Sequence, residues 1–323
     1  MRTILRFAFL AAFAFTLAPP AALAQAYPTK PVRLMIPWPA GGSTDIVGRI
    51  VFQHMSASMG QQFVVENRGG AAGSIGAEAV ARAAPDGYTL MVHTTSHLAN
   101  AHLYRKLPYD TLKDFTGVSL LSAQLGILVV HPSLPVKSVK QLLALARSRP
   151  DQILYSSAGN ASFPHLATAL LTQMTNTKLV HVPYKGAAPA TTALVSGETQ
   201  MLIVSASTAL PHVRSNRLRA LAVPSEARVK QFPDLPTVAE SGVPGYEMNP
   251  WIAVFAPAGT PKAIVDRLNA EIRKTLEHPE ISKRLYDTLL NPWYTTPEEM
   301  AKRVRVDYDK YEKLVKMTGV TID

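Results

Sequence analysis

Residues 32–45 read VRLMIPWPAGGSTD, and this stretch decides the fold class. Val32 to Ile36 is a short apolar run, which predicts a buried strand. Pro37 to Gly42 can continue neither a strand nor a helix, because it combines two prolines with two glycines. Ser43 or Thr44 is a typical N-cap for the helical pattern that follows. The stretch therefore predicts a strand, a tight loop and a helix in succession.

The same alternation continues along the chain. Further short apolar runs, most of them followed by a loop and a helical pattern, lie at 63–66, 89–93, 126–131, 153–156, 179–183, 201–204, 218–223 and 251–255. Ser138 with Gln141 has the spacing of a capping box, and Thr296 precedes a proline in the way that an N-cap often does. Alternation of this kind predicts an α/β protein with mostly parallel sheets.

The amino-terminal segment predicts export. Arg2 and Arg6 precede an uncharged apolar run, and small residues follow up to Ala24 and Ala26. This order is typical of a secretory signal peptide, and the apolar run is shorter than the roughly 20 residues that a membrane-spanning helix needs. We therefore expect the leader to be cleaved after Ala24 or Ala26.

Composition excludes several classes of protein. The 323 residues contain no cysteine, which excludes disulfides, thiol nucleophiles, cysteine-bound metals and a lipid attached to cysteine. The formal net charge is +10, and the mature chain without the two leader arginines carries +8. The densest basic cluster, Lys302, Arg303 and Arg305, lies on one predicted helix. We interpret it as a solvated helix face and expect no nucleic-acid partner.

Motifs for catalysis and for metal binding are weak. Ser162 and His165 are the nearest candidates for a nucleophile and its base, but the pentapeptide 159–163 ends in phenylalanine where a nucleophile elbow has glycine. His93 and His97 flank a predicted loop and do not have the helical geometry of a zinc pair. We therefore expect no enzyme activity, no metal and no cofactor. A secreted serine hydrolase that uses Ser162 and His165 stays as an alternative.

Three loops rich in small residues follow predicted strands and precede predicted helices, at 38–45, 156–160 and 183–189. Open α/β sheets bind ligands outside the carboxyl ends of their strands, so these loops are placed to surround one ligand. Unpaired N–H groups at the helix starts favour an anion such as a carboxylate. For the first loop, a glycine turn with Asp45 completing the helix cap is an equal alternative. Lys185 is the one cation near these loops. It is either a further partner for the anion or a solvated surface lysine.

One further pattern is the order of several short stretches along the chain: 27–45, 65–70 with Gly73 and Gly76, 84–90, 182–190, 218–223, 236–240 and 255–261. In this order, the stretches resemble the periplasmic receptors of tripartite tricarboxylate transporters, the Bug-type solute-binding family. The resemblance implies an α/β, two-lobed periplasmic binding protein fold of the type II-like class, with a ligand cleft between lobes that close on binding.

The resemblance also implies a division of the chain and a function. Residues 1–26 would be the signal peptide, 27–123 and 257–323 the first lobe, and 124–256 the second lobe. The protein would be a periplasmic receptor, not an enzyme, that captures a small organic carboxylate for a membrane permease of this transporter type. We expect it to be a monomer.

Carried over position by position, the resemblance implies ligand contacts from both lobes. The first lobe would contribute Trp38, Gly41, Gly42, Ser43, Thr44, Asp45, Thr94, Thr95 and Ser96, and the second lobe Ser157, Ala158, Gly159, Ser162, His165, Tyr184, Lys185, Gly186 and Ser205.

One position departs from the family pattern. Where many relatives have an aspartate, this chain has Val204, so no carboxylate is available there to pair with a ligand ammonium. We therefore expect a ligand without an amino group. Aliphatic di- and tricarboxylates fit this expectation, as does an aromatic carboxylate such as terephthalate, because Trp38 and Phe163 lie near the proposed cleft. A sensory module for a membrane signalling protein would use the same cleft and stays an alternative.

Overall fold

The computed structural model of the chain describes residues 27–321, in which strands and helices alternate. The strands are β1 (Val32–Ile36), β2 (Phe63–Asn67), β3 (Thr89–Thr94), β4 (Phe115–Gln124), β5 (Gly126–Val130), β6 (Leu154–Ser157), β7 (Val180–Pro183), β8 (Met201–Ser205), β9 (Arg219–Ala222), β10 (Trp251–Pro257) and β11 (Leu290–Pro292). The helices are α1 (Ser43–Met59), α2 (Ser74–Ala81), α3 (Ser96–Leu103), α4 (Val139–Ser148), α5 (Phe163–Thr175), α6 (Ala187–Val195), α7 (Ala206–Arg214), α8 (Lys262–Glu277), α9 (Pro279–Asp287) and α10 (Pro297–Thr318). The predicted leader, 1–26, lies outside the described residues.

The strands form two sheets, and each sheet is the centre of one lobe. The first lobe has the order β11-β4-β10-β3-β1-β2 with helices α1 to α3 and α8 to α10, and the second has the order β7-β6-β8-β5-β9 with helices α4 to α7. The chain thus builds half of the first lobe, then the second lobe, and returns to complete the first. No helix within 27–321 combines the length and the apolar character that a membrane crossing requires.

The expectation of mostly parallel sheets is wrong. β1 pairs in parallel with β2 and β3, and β6 with β7 and β8, whereas the other five pairings among the described strands are antiparallel. Each of those five pairings involves β4, β5 or β10, the strands next to the connections between the lobes. β4 leads out of the first sheet towards the second lobe and β10 comes back from it, so these two strands run in opposite directions. Helical crossovers within a lobe, in contrast, join parallel strands.

The two connections between the lobes lie side by side. β4 leads into β5 through Leu125, and β9 leads back to β10 through the segment that ends at Pro250. The backbone N–H of Gln124 donates to the carbonyl of Pro250 at 2.9 Å, which joins the two connections. β10 pairs with β3 and β4 in the first sheet, although the predicted division put Trp251 to Ala256 in the second lobe.

Buried polar contacts fix the terminal helix on the first sheet. Trp251 is fully buried in β10, and its Nε1 donates to Asp307 of α10 at 2.6 Å. Arg303 donates to the same carboxylate oxygen at 2.7 Å, so the buried charge of Asp307 is compensated. The predicted start of this helix is confirmed, because Thr296 and Glu299 form a reciprocal capping box. The start of α1 differs from the prediction, since its N-cap is Gly42 and no side chain caps it.

His97 is an unusual member of the first lobe's core. Its ring is fully buried among the rings of Tyr109, Phe115 and Phe255, at centroid distances of 5.7, 4.6 and 5.1 Å. Neither ring nitrogen has a hydrogen-bond partner among the described residues. Burial lowers the pKa of His97 to about 3, so the ring is neutral in the native protein at neutral pH.

We predict that His97→Phe stabilises the protein and flattens its response to acid. Phenylalanine fits an aromatic cage and removes two unpaired nitrogens, which is worth about 1–3 kcal/mol. Between the unfolded pKa of about 6.5 and the native value, only the unfolded chain takes up a proton at this residue. The free energy of unfolding therefore decreases as the pH is lowered through this range, by up to about 1.4 kcal/mol per pH unit for one such histidine. The variant has no histidine at this position and does not show this part of the decrease.

Urea unfolding at pH 7, 6 and 5 measures this effect. His278→Phe, a substitution at an exposed histidine, is the matched control and should change stability by less than about 0.5 kcal/mol. A His97→Phe variant that is less stable than the wild type at pH 5 would contradict the prediction.

Candidate functional site

A cleft lies between the two lobes and is lined by both. The first lobe contributes Trp38, Pro39, Ala40, Gly42, Ser43, Thr44, Thr94, Ser96 and Gln124, and the second contributes Ala158, Ser162, Phe163, Pro164, Ala187, Ala188, Val204 and Ser205. The empty space between them totals about 520 Å³, part of which is open to solvent. Among the described residues, none of those that line the cleft has a charged side chain.

Five helices begin at the wall of this cleft. α1, α5 and α6 begin at Ser43, Phe163 and Ala187, α3 begins at Ser96, and α7 follows Ser205. The first N–H groups of a helix have no partner within the helix, and the helix dipole makes this end positive. In α1, for example, the first helical hydrogen bond is donated by the N–H of Ile46 to the carbonyl of Gly42. The N–H groups of the preceding helical residues therefore make no hydrogen bond within the helix. The arrangement suits an anion although no cation lines the cleft.

Asp45 holds the loop before α1 and does not line the cleft. Its carboxylate accepts hydrogen bonds from the backbone N–H of Gly41 at 3.0 Å, from Arg49 at 2.9 Å and from Asn67 at 3.0 Å. Burial by itself raises the pKa of this carboxyl, but these hydrogen bonds outweigh burial and the net pKa is lower than usual. Asn67 also donates to the carbonyl of Trp38, so one network fixes both ends of the loop.

The loop between β3 and α3 presents two of its three predicted residues to the cleft. Thr94 and Ser96 line the cleft, and the Thr94 hydroxyl accepts from the backbone N–H of Ser96 at 3.2 Å. Thr95 is buried and does not line the cleft, and its side chain interacts with Tyr311 of α10. Thr95 therefore attaches the loop to the terminal helix.

Two stacked histidines support the loop between β6 and α5. The rings of His165 and His181 are 4.2 Å apart and nearly parallel, at 5°. His165 Nδ1 accepts from the backbone N–H of Ala161 at 3.1 Å, and His181 Nε2 shares a 2.6 Å hydrogen bond with the Ser157 hydroxyl. Burial lowers the pKa of His165 to about 3 and that of His181 to about 4. Both rings are therefore neutral supports of the backbone at neutral pH.

Ser162 does not form a nucleophile–base pair with His165. The Ser162 hydroxyl donates to the carbonyl of Gly159 at 2.6 Å, while His165 Nδ1 is occupied by the N–H of Ala161. The geometry gives no support to the serine hydrolase alternative, because a nucleophile must lie within hydrogen-bond reach of its base.

An outer compartment adjoins the cleft at Trp38, Pro39 and Ala158. Its other lining residues are Gly69, Gly70, Ala71, Ala72, Tyr104, Gly159, Asn160, Tyr184, Lys185 and Gly186. Tyr184 donates its hydroxyl to Glu198 at 2.6 Å, and Lys185 is exposed. The lobes meet here, since a Cβ atom on Gly186 would lie 2.8 Å from the ring of Pro39.

The predicted site residues fall into three groups. Trp38, Gly42, Ser43, Thr44, Thr94, Ser96, Ala158, Ser162 and Ser205 line the cleft, and Gly159, Tyr184, Lys185 and Gly186 line only the outer compartment. Gly41, Asp45, Thr95, Ser157 and His165 line neither, because their polar groups hold the backbone of the loops. The contact of any of these residues with a ligand stays a prediction.

Sequence reasoning missed Gln124 as a cleft residue. It is the last residue of β4, a ten-residue strand that has no glycine or proline boundary at its end and was not among the predicted strands. Ala187, Ala188 and Val204 also line the cleft but were not among the predicted ligand contacts. Small apolar side chains carry no signal of binding by themselves; Ala187 and Ala188 were covered only as part of the predicted loop 183–189, and Val204 only as a departure from the family pattern.

A sequence model of the family described as "Tripartite tricarboxylate transporter family receptor" matches residues 47–320. The chain belongs to this family. Members of the tripartite tricarboxylate transporter receptor family are periplasmic solute-binding receptors, and the resemblance read from the sequence is therefore confirmed.

Relatives agree with this assignment over nearly the whole chain. The protein BugT of Bordetella pertussis is 34% identical, over 93% of this chain and 92% of its own. The structure of R. palustris Rpa4515 with adipate has a TM-score of 0.88 and 36% identity, and the match covers 91% of this chain and 99% of that one. MatC (Rpa3494) from Rhodopseudomonas palustris with bound malate has a TM-score of 0.85 and 32% identity, over 90% and 100%. The chain thus has the two-lobed fold of the periplasmic binding proteins.

We predict that Asp45→Asn destabilises the protein by about 1–3 kcal/mol, because the amide cannot replace the charged acceptor of three hydrogen bonds. Urea unfolding at pH 7 measures the change. Asp266→Asn is the matched control, since Asp266 pairs with Lys262 on the surface of α8 and such pairs contribute at most about 1 kcal/mol. Equal losses in both variants would contradict a special role for Asp45.

We predict that Gly186→Ala impairs closure of the lobes and weakens ligand binding at least tenfold, because the new Cβ meets the Pro39 ring. Gly242→Ala is the control: this glycine also has a positive φ, of 107° against 125°, but a Cβ atom added there would have no neighbouring atom within 4 Å. Calorimetric titration should show weak binding only in the Gly186 variant, and Pro39→Ala in the same chain should restore part of it. If the Gly242 variant binds the ligand equally weakly, backbone strain explains the loss of affinity, and the closure argument is contradicted.

Proposed function

We propose that this protein is a periplasmic receptor that captures a small organic carboxylate and delivers it to a membrane permease of the tripartite tricarboxylate transporter type. The observation that carries the proposal is the convergence of five helix starts on one cleft without charged side chains. Membership of the receptor family supports it, and two of the similar structures hold carboxylates, adipate and malate. The protein acts as a binding protein and not as an enzyme.

The cleft supplies two kinds of contact. Backbone N–H groups at the helix starts, together with the hydroxyls of Ser43, Thr44 and Ser96, are donors for carboxylate oxygens. The N–H groups of Ser96 and Ala206 are not among these donors, because they donate to Thr94 and to the carbonyl of Leu125. Each charge-assisted hydrogen bond contributes about 1.5–3 kcal/mol. Trp38 and Phe163 provide apolar surface for the body of the ligand. Closure of the lobes removes water from these contacts, and the ligand stabilises the closed state because it binds both walls.

The ligand class follows from the absence of a negative side chain in the cleft lining. Val204 lines the cleft at the position where the family pattern has an aspartate, so a ligand ammonium finds no carboxylate among the described lining residues. We infer a ligand without an amino group, either an aliphatic di- or tricarboxylate or an aromatic carboxylate such as terephthalate. The receptor works as a monomer, since both walls of the cleft come from one chain.

A thermal-shift screen tests the function. We expect carboxylates such as adipate, malate or terephthalate to raise the melting temperature, because a ligand at about 100 times its dissociation constant adds roughly 2.7 kcal/mol of stability. Aspartate, which carries an ammonium group, should give a smaller shift than malate. No shift with any carboxylate would contradict the proposal.

Ala188→Asp tests the site itself. The introduced carboxylate would lie at the start of α6, where it occupies the N–H groups and repels an anionic ligand. The thermal shift should therefore disappear. Ala84→Asp, at an exposed position away from the cleft, is the matched control and should keep the full shift. Retention of the shift in the Ala188 variant would place the ligand elsewhere.

A further inference from the structure

Gln124 holds a fixed position where the first lobe meets the connection to the second. It ends β4, only 8% of its surface is exposed, and its backbone N–H is bonded to the carbonyl of Pro250. Gln124 is one of the residues that line the cleft, and its side chain is bonded to a second lining residue, Ser43. The amide is therefore a buried polar group on a rigid strand and not part of a mobile loop.

The two ends of the Gln124 amide have different surroundings. Nε2 donates to the hydroxyl of Ser43, the first residue of α1, at 2.9 Å. Oε1 is buried and has no hydrogen-bond partner among the described residues. The other buried polar atom of the cleft lining without such a partner is Trp38 Nε1. Trp38 Nε1 is a donor and suits a carboxylate, whereas Gln124 Oε1 is an acceptor and does not.

We propose that Gln124 makes the receptor selective for carboxylates that carry a hydroxyl group close to the carboxylate. This inference rests on the proposed function and specifies its ligand. A carboxylate oxygen has only lone pairs at neutral pH, so it cannot pair with the amide oxygen. A hydroxyl donates to Oε1, and no acidic side chain lines the cleft to favour an ammonium donor in its place.

The position of the hydroxyl follows from Ser43. The Gln124 amide is bonded to the first side chain of α1, and the N–H groups of that helix start are donors for the carboxylate. The acceptor thus lies beside the predicted carboxylate position. A hydroxyl on the second or third carbon of the acid is within reach of both, whereas a hydroxyl at the far end of a long ligand is not.

The energetic reason for selectivity is the cost of an unpaired buried group. A ligand hydroxyl that donates to Oε1 removes the cost of this buried, unpaired acceptor, whereas a ligand without the hydroxyl leaves the acceptor unpaired. Sites that hydrogen-bond a ligand hydroxyl reject the analogue that lacks it for this reason. We expect a preference of about tenfold or more, which corresponds to at least 1.4 kcal/mol.

Calorimetric titration with matched pairs of acids tests this. The pairs are malate and succinate, citrate and tricarballylate, and mandelate and phenylacetate, whose members differ by one hydroxyl. In each pair of which at least one member binds, the wild-type protein should prefer the hydroxylated acid. Gln124→Met, which keeps the length of the side chain but has no amide, should reduce the ratio to about one. Gln53→Met, the same substitution at an exposed position of α1, should preserve the wild-type ratio.

The outcomes separate this inference from the proposed function. Binding of both members with equal affinity to the wild type overturns the role of Gln124 and leaves the carboxylate receptor intact; this comparison needs no variant, so it stands even if Gln124→Met fails to fold. An equal loss of affinity for both members in Gln124→Met indicates that the amide nitrogen faces the ligand, and also overturns the inference. Absence of binding by every acid, adipate and terephthalate included, overturns the proposed function and the inference with it.

Discussion

Every α-helix begins with N–H groups that its own hydrogen bonds cannot reach, and this constraint organises the cleft. Five such starts, from both lobes, lie around one space. Because the positive potential comes from backbone groups, it does not require lysine or arginine in the lining, and the described lining has none. Backbone donors are held in place by the fold, so they lose little freedom when a ligand binds. The strand-to-helix architecture itself thus creates the proposed binding surface.

The charged and titratable residues near the cleft support its loops from behind. Asp45 accepts three hydrogen bonds that hold the turn before α1. His165 and His181 do the same for the loop before α5, and burial keeps both rings neutral. A negative charge within the lining would oppose an anionic ligand, whereas the same charge placed behind the loop and paired with Arg49 orders the donors. Positions of this kind contribute to binding through the geometry of the backbone.

Much of the fold could be read from the sequence, but side-chain direction could not. The loop 37–42 between β1 and α1 follows from its prolines and glycines, and the starts of α4 and α10 follow from their capping residues. β4 was missed, because it lacks turn residues at its end, and the sheet direction was wrong because antiparallel pairing arises where the chain passes between lobes. Thr95 and His165 show the same limit within the site. Both are neighbours in sequence of cleft residues. Thr95 faces Tyr311, which tertiary packing brings there, and His165 turns back to the N–H of Ala161, four residues earlier in the chain.

The contact between Pro39 and Gly186 affects how the receptor responds to ionic strength. This contact consists of a ring against a backbone and contains no ion pair. Attraction between exposed charges weakens as ionic strength rises, whereas contact between uncharged groups depends little on it. The periplasm of a bacterium exchanges small ions with the medium outside the cell. We therefore expect this contact to hold in both dilute and saline water, whereas the ion pair between Lys310 and Glu247, which also joins the two parts of the chain, weakens as salt rises.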